Sequence, residues 1–129
     1  MLTEKDYCDY ETCVALREVG CRIQTEWYIH QPSYERGSCY LCFGIPRETS
    51  VLDECDYIPR LSLYEAQKWL REERNILVIA DRDSESWYYA VDDMKTSSYE
   101  VFYSKSEFDS YEEALAEGLR TSIKILRDE

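Results

Sequence analysis

The chain has 129 residues, of which 44% are hydrophobic and 33% are charged, and this composition excludes a disordered protein and a membrane-embedded one. The 15 Lys and Arg against 27 Asp and Glu give a net charge of −12, and the basic residues form no visible cluster. Direct binding to nucleic acid or to an anionic membrane is therefore not expected. The length predicts a single domain over residues 1–129.

The N-terminal stretch and the cysteines together predict a cellular location. Residues 1–11 carry acids where a secretory signal would have a basic end and an apolar centre. The longest apolar runs, at 41–45 and 76–80, are far shorter than the ~20 residues that span a bilayer. We therefore expect a cytoplasmic protein, in which the six cysteines are thiols rather than disulfides.

The first half of the chain predicts one helix followed by two strands. Residues 9–20 have the apolar spacing of a helix, with an Asp at the N-cap position and a Gly at the end. Residues 22–30 and 39–45 alternate in side-chain character with a period of two, which predicts two strands that pair as a hairpin. Residues 46–60 are expected to be irregular.

Two helices in the second half begin with the same Ser-x-x-Glu phrase. Ser62 with Glu65, and Ser110 with Glu113, predict capping boxes that satisfy the free amides at each helix start. Both phrases lead into amphipathic stretches, so each helix is expected to bury one apolar stripe. Three strands are predicted between them, the first of which is expected to be buried on both faces: residues 75–82, 87–94 and 98–103.

The predicted order α-β-β-α-β-β-β-α indicates the α+β class. We expect a single-layer antiparallel sheet of four or five strands, with about three helices packed on one face. The chain has 12 tyrosines, and several fall on the strand face opposite the aliphatic side chains. Tyrosine is common in protein interfaces because it offers rigid area and a polar tip, although it is also a good strand former. The predicted interaction residues on the sheet face are Tyr28, Tyr40 and Tyr88.

Three segments resemble an uncharacterised family of small acidic proteins from gut anaerobes and their phages and mobile elements. They read "DYETCVALREVG" (9–20), "AQKWLREERNI" (66–76) and "SYEEALAEGLRTSIKIL" (110–126). The chain differs from that family in its extra cysteines and in the long 46–60 loop. The resemblance implies an accessory role in a bacterium or its phage. It transfers no catalytic residue, because the family has no established activity.

Metal and cofactor sites are not expected. Cys39 and Cys42 have a zinc-like spacing, but alternation along a strand points them to opposite faces and no second Cys-x-x-Cys exists. Residues 81–92 place acids at several positions of a calcium loop, but the required glycine is missing, so an acidic hairpin turn is expected instead. The only histidine, His30, has no nucleophile motif beside it.

The leading hypothesis is a small, acidic, non-enzymatic module that binds another protein, or itself as a homodimer, through its tyrosine-bearing sheet face. One alternative is an inhibitor that mimics DNA, in which carboxylates replace phosphates against a basic nucleic-acid enzyme. The other alternative is a small metal-binding protein or hydrolase. The sequence leaves all three open.

Overall fold

The structure is a computed structural model that describes residues 1–30, 40–43, 57–95 and 101–128, with the side chains of all of these except residues 30, 40–43 and 57. These residues form three α-helices, six strands and a 3₁₀ turn at Glu4–Asp6, and they confirm the α+β class. The helices are α1 (Tyr10–Glu18), α2 (Leu63–Glu73) and α3 (Tyr111–Arg127). The strands are β1 (Trp27–His30), β2 (Tyr40–Phe43), β3 (Tyr57–Pro59), β4 (Ile76–Asp83), β5 (Ser86–Asp93) and β6 (Phe102–Tyr103).

The described strands form two antiparallel sheets of three strands each, where the sequence predicted one sheet of four or five. Their orders are β2-β1-β3 and β4-β5-β6. The difference comes from β3, which lies in the stretch that was expected to be irregular and pairs with the free side of β1. Because β1 is therefore hydrogen-bonded on both sides, the first sheet is complete without any strand from the second half of the chain.

The helix starts follow the predicted capping chemistry closely. The Asp9 carboxylate accepts from the Thr12 amide at 2.8 Å. Ser62 and Glu65 form the full capping box, with both reciprocal bonds at 3.0 Å. At α3 the Ser110 hydroxyl accepts from the backbone amide three residues on, but the Glu113 carboxylate accepts from the amide before the N-cap instead of from the N-cap itself. Only half of that predicted box is formed.

The chain divides into two compact units, which are described separately below. The inner unit is Cys8–Leu61, and the terminal unit combines Met1–Tyr7 with Ser62–Glu129. The prediction of one domain stays a prediction, because a compact unit need not fold alone. Among the described residues, no helix is both long enough and apolar enough to cross a bilayer.

The inner unit contains α1 and the first sheet. Gly20 has a φ of 108°, a left-handed conformation that glycine adopts without strain and that ends α1 as predicted. The first predicted strand is shorter than expected, since pairing begins only at Trp27. Buried side chains from α1, β1 and β3 make the core of this unit: Cys13, Leu16, Tyr28, Ile29 and Ile58.

The terminal unit places α2 and α3 against the second sheet. α3 carries a nearly continuous buried stripe that includes Leu115, Leu119 and Ile123, as its sequence period predicts. α2 lies beside the edge strand β4, where the Gln67 side chain donates to the Val78 carbonyl at 2.7 Å. The 3₁₀ turn near the N-terminus is in contact with α3. The helices thus build a core on the second sheet.

Candidate functional site

The two faces of the second sheet are chemically different, and α3 defines which face is covered. A Cβ placed on Gly118 of α3 would lie 2.7 Å from Val78 Cγ1 and 3.2 Å from Tyr89 Cβ, so both of these strand residues point toward the helix. The hydroxyl of Tyr89 also shares a 2.7 Å hydrogen bond with that of Thr121 on α3. Because side chains alternate along a strand, the residues of opposite parity lie on the other face.

We call that other face the open face. Two of its large apolar side chains are well exposed: Ile79 has 43% and Tyr103 has 63% of its surface accessible. In the cross-strand register Ile79 lies opposite Ala90, and Ala90 lies opposite Tyr103. The open face consists of Leu77, Ile79, Asp81 and Asp83 from β4, Ser86, Tyr88, Ala90 and Asp92 from β5, and Tyr103 from β6.

An apolar row across all three strands forms the centre of the open face. Ala90 lies in the middle of this row and is only 2% exposed, so the larger neighbours on either side stand above it. The row on one side pairs Asp81 with Tyr88, and the row on the other side pairs Leu77 with Asp92. The apolar centre is therefore bordered on both sides by carboxylates.

Two tyrosine rings meet at one end of that row. The centroids of Tyr88 and Tyr103 lie 6.3 Å apart and their planes are tilted by 51°. Diagonal neighbours on adjacent strands are within reach of each other when the side chains are aromatic. Since Tyr103 is largely exposed and Tyr88 is half-buried, the pair leaves ring surface accessible on the open face.

The charge on the open face has a single sign. Its strand positions include Asp81, Asp83 and Asp92 and no Lys or Arg. The arginine of this hairpin, Arg82, belongs to the covered face, where its guanidinium lies 6.0 Å from the centre of the Trp87 ring. This distribution has the same sign as the net charge of −12 of the whole chain.

The three predicted interaction tyrosines have different outcomes. Tyr88 lies on the open face, as described above. Tyr28 is completely buried, at 0% exposure, so the prediction that it lies on a free surface is wrong. Its neighbour Trp27 is 41% exposed, whereas Ile29, of the same parity as Trp27, is buried at 6%, so β1 buries side chains of both parities. Tyr40 forms part of β2 opposite His30, and its side chain lies outside the described residues.

The hydroxyl of Tyr28 has no hydrogen-bond partner among the described parts of the molecule. Burial of this phenol raises its pKa above the ordinary value for tyrosine, because the charged form would lose its hydration. In the first sheet Tyr28 is paired with Pro59 and Cys42, away from the strands that carry Tyr88. The two tyrosines therefore belong to different sheets.

The expectation that residues 75–82 form a strand buried on both faces is also wrong. β4 is an edge strand of its sheet, and the helices cover one of its faces. Burial consequently alternates along it, with Ile76 and Val78 fully buried and Ile79 exposed. A short apolar run has the same composition in a central strand and in an edge strand whose outer face is exposed.

The structure does not bring the candidate metal ligands together in a site within the described residues. Cys39 and the side chains of Cys42 and His30 lie outside the described residues. Within the described ranges, no group of three or more His, Cys, Asp or Glu is placed to hold an ion. The stretch 81–92 forms an antiparallel hairpin in which Asp83 pairs with Ser86, which confirms the predicted acidic turn in place of a calcium loop.

Two cysteines of the inner unit are in contact at the start of α1. Cys8 precedes the N-cap and Cys13 is the fourth helical residue, which are the two positions of a hydrophobic staple. Both are buried, and a hydrogen bond with the Cys8 side chain lowers the pKa of the Cys13 thiol despite that burial. Their positions explain their burial, because the staple packs apolar groups around a helix start.

One coupled pair of titratable groups lies in the terminal unit. The Tyr64 hydroxyl donates to the Asp6 carboxylate at 2.5 Å. This bond, with some desolvation, raises the pKa of Tyr64 to about 12. Hydrogen bonds from the Thr3 backbone and from Tyr64 lower the pKa of Asp6. The pair fastens the N-terminal 3₁₀ turn to α2, and the Thr3 hydroxyl also donates to the Asp6 carboxylate at 3.3 Å.

Sequence reasoning missed Ile79 and Tyr103 as members of the site. Their alternation parity was visible, but the pairing of Ile79 with Ala90 depends on the two-residue turn at Ser84 and Glu85, where Ser84 has a φ of 54°. The pairing of Ala90 with Tyr103 depends on the separate register between β5 and β6. The acidic turn was predicted, but its length was not.

Comparisons of the chain with known proteins found no match. No protein-family model matches the chain, and neither a curated protein nor a solved structure matches it. The resemblance to small acidic proteins of gut anaerobes and their phages therefore stays a prediction.

Proposed function

We propose that this chain is a non-enzymatic protein-binding module whose open face binds a basic segment of another protein. The observation that carries the proposal is the apolar row of Ile79, Ala90 and Tyr103, whose two outer members are exposed and which is bordered by Asp81 and Asp92. An apolar centre with aromatic side chains and a polar, charged border is the usual anatomy of a protein interface.

Charge decides which partner the face fits best. A second copy of this chain bound to the same face would bring Asp81 and Asp92 of one molecule toward the carboxylates of the other. Like charges placed opposite each other oppose such a dimer. A partner with Lys or Arg around an apolar residue would instead pair with these carboxylates, and the net charge of −12 would accelerate its approach.

The face, and not the strand edge, is the proposed contact. One edge of the sheet is β4, where the Gln67 side chain already donates to the Val78 carbonyl. The other edge is β6, which has only two residues, Phe102–Tyr103. Both features work against the addition of an extended strand to this sheet.

The apolar centre separates this proposal from DNA mimicry. A mimic presents carboxylates in place of phosphates, so its binding falls steeply with salt. Binding through Ile79 and Tyr103 depends in part on burial of apolar surface and should survive moderate salt. A cytoplasmic location, in which the six cysteines are thiols, is part of the proposal.

Peptide display tests the proposal without knowledge of the natural partner. Random 16-residue peptides would be selected on the immobilised chain and then measured against Ile79→Lys, which places a positive charge in the centre of the open face. The matched control is Phe102→Lys, because Phe102 is 54% exposed but lies on the opposite side of the same sheet. Circular dichroism melts check that both variants fold.

The expected result is a set of peptides that combine Lys or Arg with apolar residues, bind the control and lose binding to Ile79→Lys. Their binding to the native chain should persist at 0.5 M salt, a condition that screens exposed ion pairs strongly. The proposal is wrong if no peptide is enriched, or if enriched peptides bind Ile79→Lys as well as they bind the native chain. Binding that vanishes with salt would instead favour DNA mimicry.

A further inference from the structure

We infer that Tyr88, Tyr103 and Asp81 form a binding site for one arginine side chain of the partner, an inference that rests on the proposed function. The rings of Tyr88 and Tyr103 are tilted by 51° with centroids 6.3 Å apart, so they contact each other and offer adjoining ring surface on the open face. Asp81 is the direct cross-strand partner of Tyr88 on the same face. A carboxylate therefore lies beside the ring pair.

The chemistry of these three groups matches a guanidinium ion. A cation near an aromatic face is attracted by the negative charge at the centre of the ring. A guanidinium is planar, so it can lie on one ring and still donate in its own plane to a carboxylate. An ammonium ion would be attracted to the same groups, but it is more strongly hydrated and lacks the planar contact. The site should therefore favour arginine over lysine.

The orientation of Asp81 leaves it able to accept from a ligand. One of its oxygens accepts from the Arg82 backbone amide at 2.7 Å, and that bond restrains the carboxylate. The second oxygen provides the acceptor for the guanidinium. The side chain is exposed, so no burial of the carboxylate is needed before the ligand arrives.

The same hairpin already contains this type of contact on its other face. Arg82 lies 6.0 Å from the ring centre of Trp87, its direct cross-strand partner. One register step away, Asp81 and Tyr88 occupy the equivalent positions on the open face, with an acid where the covered face has the arginine. The described strand positions of the open face thus have the ring and no Lys or Arg, and the partner would supply the cation.

The test uses the peptide Ac-Gly-Arg-Gly-NH2 and two versions of it, one with lysine and one with citrulline, which keeps the shape of arginine without the charge. Binding is followed by NMR titration of the ¹⁵N-labelled chain. Asp81→Asn is compared with Asp83→Asn, a control that removes the same charge from the same face nearer the turn. Tyr103→Ala is compared with Phe102→Ala, which removes a ring of similar exposure from the other face.

We expect shift changes at Asp81, Tyr88 and Tyr103 with the arginine peptide, a weaker response with lysine and none with citrulline. Asp81→Asn should weaken binding by about 2–5-fold, as for an exposed ion pair. Tyr103→Ala should weaken it by about 2–5-fold, the range of one exposed cation–π contact. Neither control should change the affinity by as much as 2-fold.

Three results would overturn the inference. They are equal binding of the citrulline peptide, equal loss from Asp81→Asn and Asp83→Asn, and no shift change at the tyrosines. The proposed function would survive any of these if peptides selected by display still lose binding to Ile79→Lys. The two failures are therefore distinguishable, because one concerns a single side-chain site and the other concerns the whole face.

Discussion

The covered face and the open face of the second sheet are made by alternate residues of the same strands, yet they use tyrosine in opposite ways. Tyr89 lies under α3, is 7% exposed, and its hydroxyl is bonded to Thr121. Tyr88, the adjacent residue, lies on the open face, where its half-buried ring contacts the ring of Tyr103. A shift of one residue therefore moves a tyrosine from the core to the open face.

The largest expected difference between the faces appears when isoleucine is truncated on each. Ile76 is fully buried and Ile79 is 43% exposed, and both belong to β4. Ile76→Ala should reduce the free energy of unfolding by about 2–5 kcal/mol, the range for a buried large-to-small change. Ile79→Ala should reduce it by less than about 1 kcal/mol. Urea denaturation measures both, and equal losses would contradict the assignment of the faces.

The contact between α3 and the covered face can be tested by adding one carbon. Gly118→Ala would place a methyl group 2.7 Å from Val78 Cγ1, so the helix or the strand must shift. We expect a loss of about 1–3 kcal/mol in the free energy of unfolding from overpacking.

The sign of that change is informative, because alanine is favoured over glycine by about 1 kcal/mol in an exposed helix interior. A stabilised Gly118→Ala variant would show that α3 does not approach the sheet as closely as described.

Removal of single hydroxyl groups compares the two adjacent tyrosines directly. Tyr89→Phe leaves Thr121 without its partner and should cost about 0.5–1.5 kcal/mol of unfolding free energy. Tyr88→Phe should leave stability nearly unchanged and preserve the ring pair with Tyr103. Thermal melts of the two variants provide the comparison, and a larger loss from Tyr88→Phe would reverse the account.

The smallest expected effect concerns the bond that fastens the N-terminal turn to α2, one of the helices of the terminal unit. The pKa of Tyr64 is raised to about 12, so the protonated phenol is favoured in the folded state. Its contribution to stability is complete below the ordinary pKa of about 10 and is lost as pH rises toward 12.

The partner carboxylate behaves in the opposite direction. The pKa of Asp6 is lowered, so its contribution is present above the ordinary value of 3.8 and is lost as the pH falls through the lowered pKa. Tyr64→Phe should reduce the free energy of unfolding at neutral pH and make its change between pH 9 and pH 12 smaller. Denaturation curves at several pH values measure both, and an unchanged alkaline profile would show that the bond is not formed.

Local chemistry explains which parts of the fold could be predicted from the sequence. Asp9, Ser62 and Ser110 each cap a helix as their sequence context predicts, because capping depends only on residues within one turn. The sheet arrangement depends on distant pairing, and the addition of β3 to β1 has no local signal. A proline at the end of that strand, Pro59, also argued against it.

The candidate site was only partly predictable for the same reason. The predicted face of Tyr88 was correct, because alternation along β5 depends only on neighbours within that strand. The prediction that Tyr28 is exposed was wrong, because the burial of β1 depends on what packs against it. A strand with aromatic and aliphatic residues on both sides does not specify which face points inward. Ile79 and Tyr103 required the register across three strands, which the sequence does not encode locally.

The central claim is that helices of the terminal unit leave one face of the second sheet to bind a basic partner. Its most direct test is NMR mapping of a display-selected basic peptide on the ¹⁵N-labelled chain. The account predicts shift changes concentrated at Ile79, Tyr88, Ala90 and Tyr103. Changes concentrated on α3, or spread evenly over the acidic residues of the chain, would contradict it.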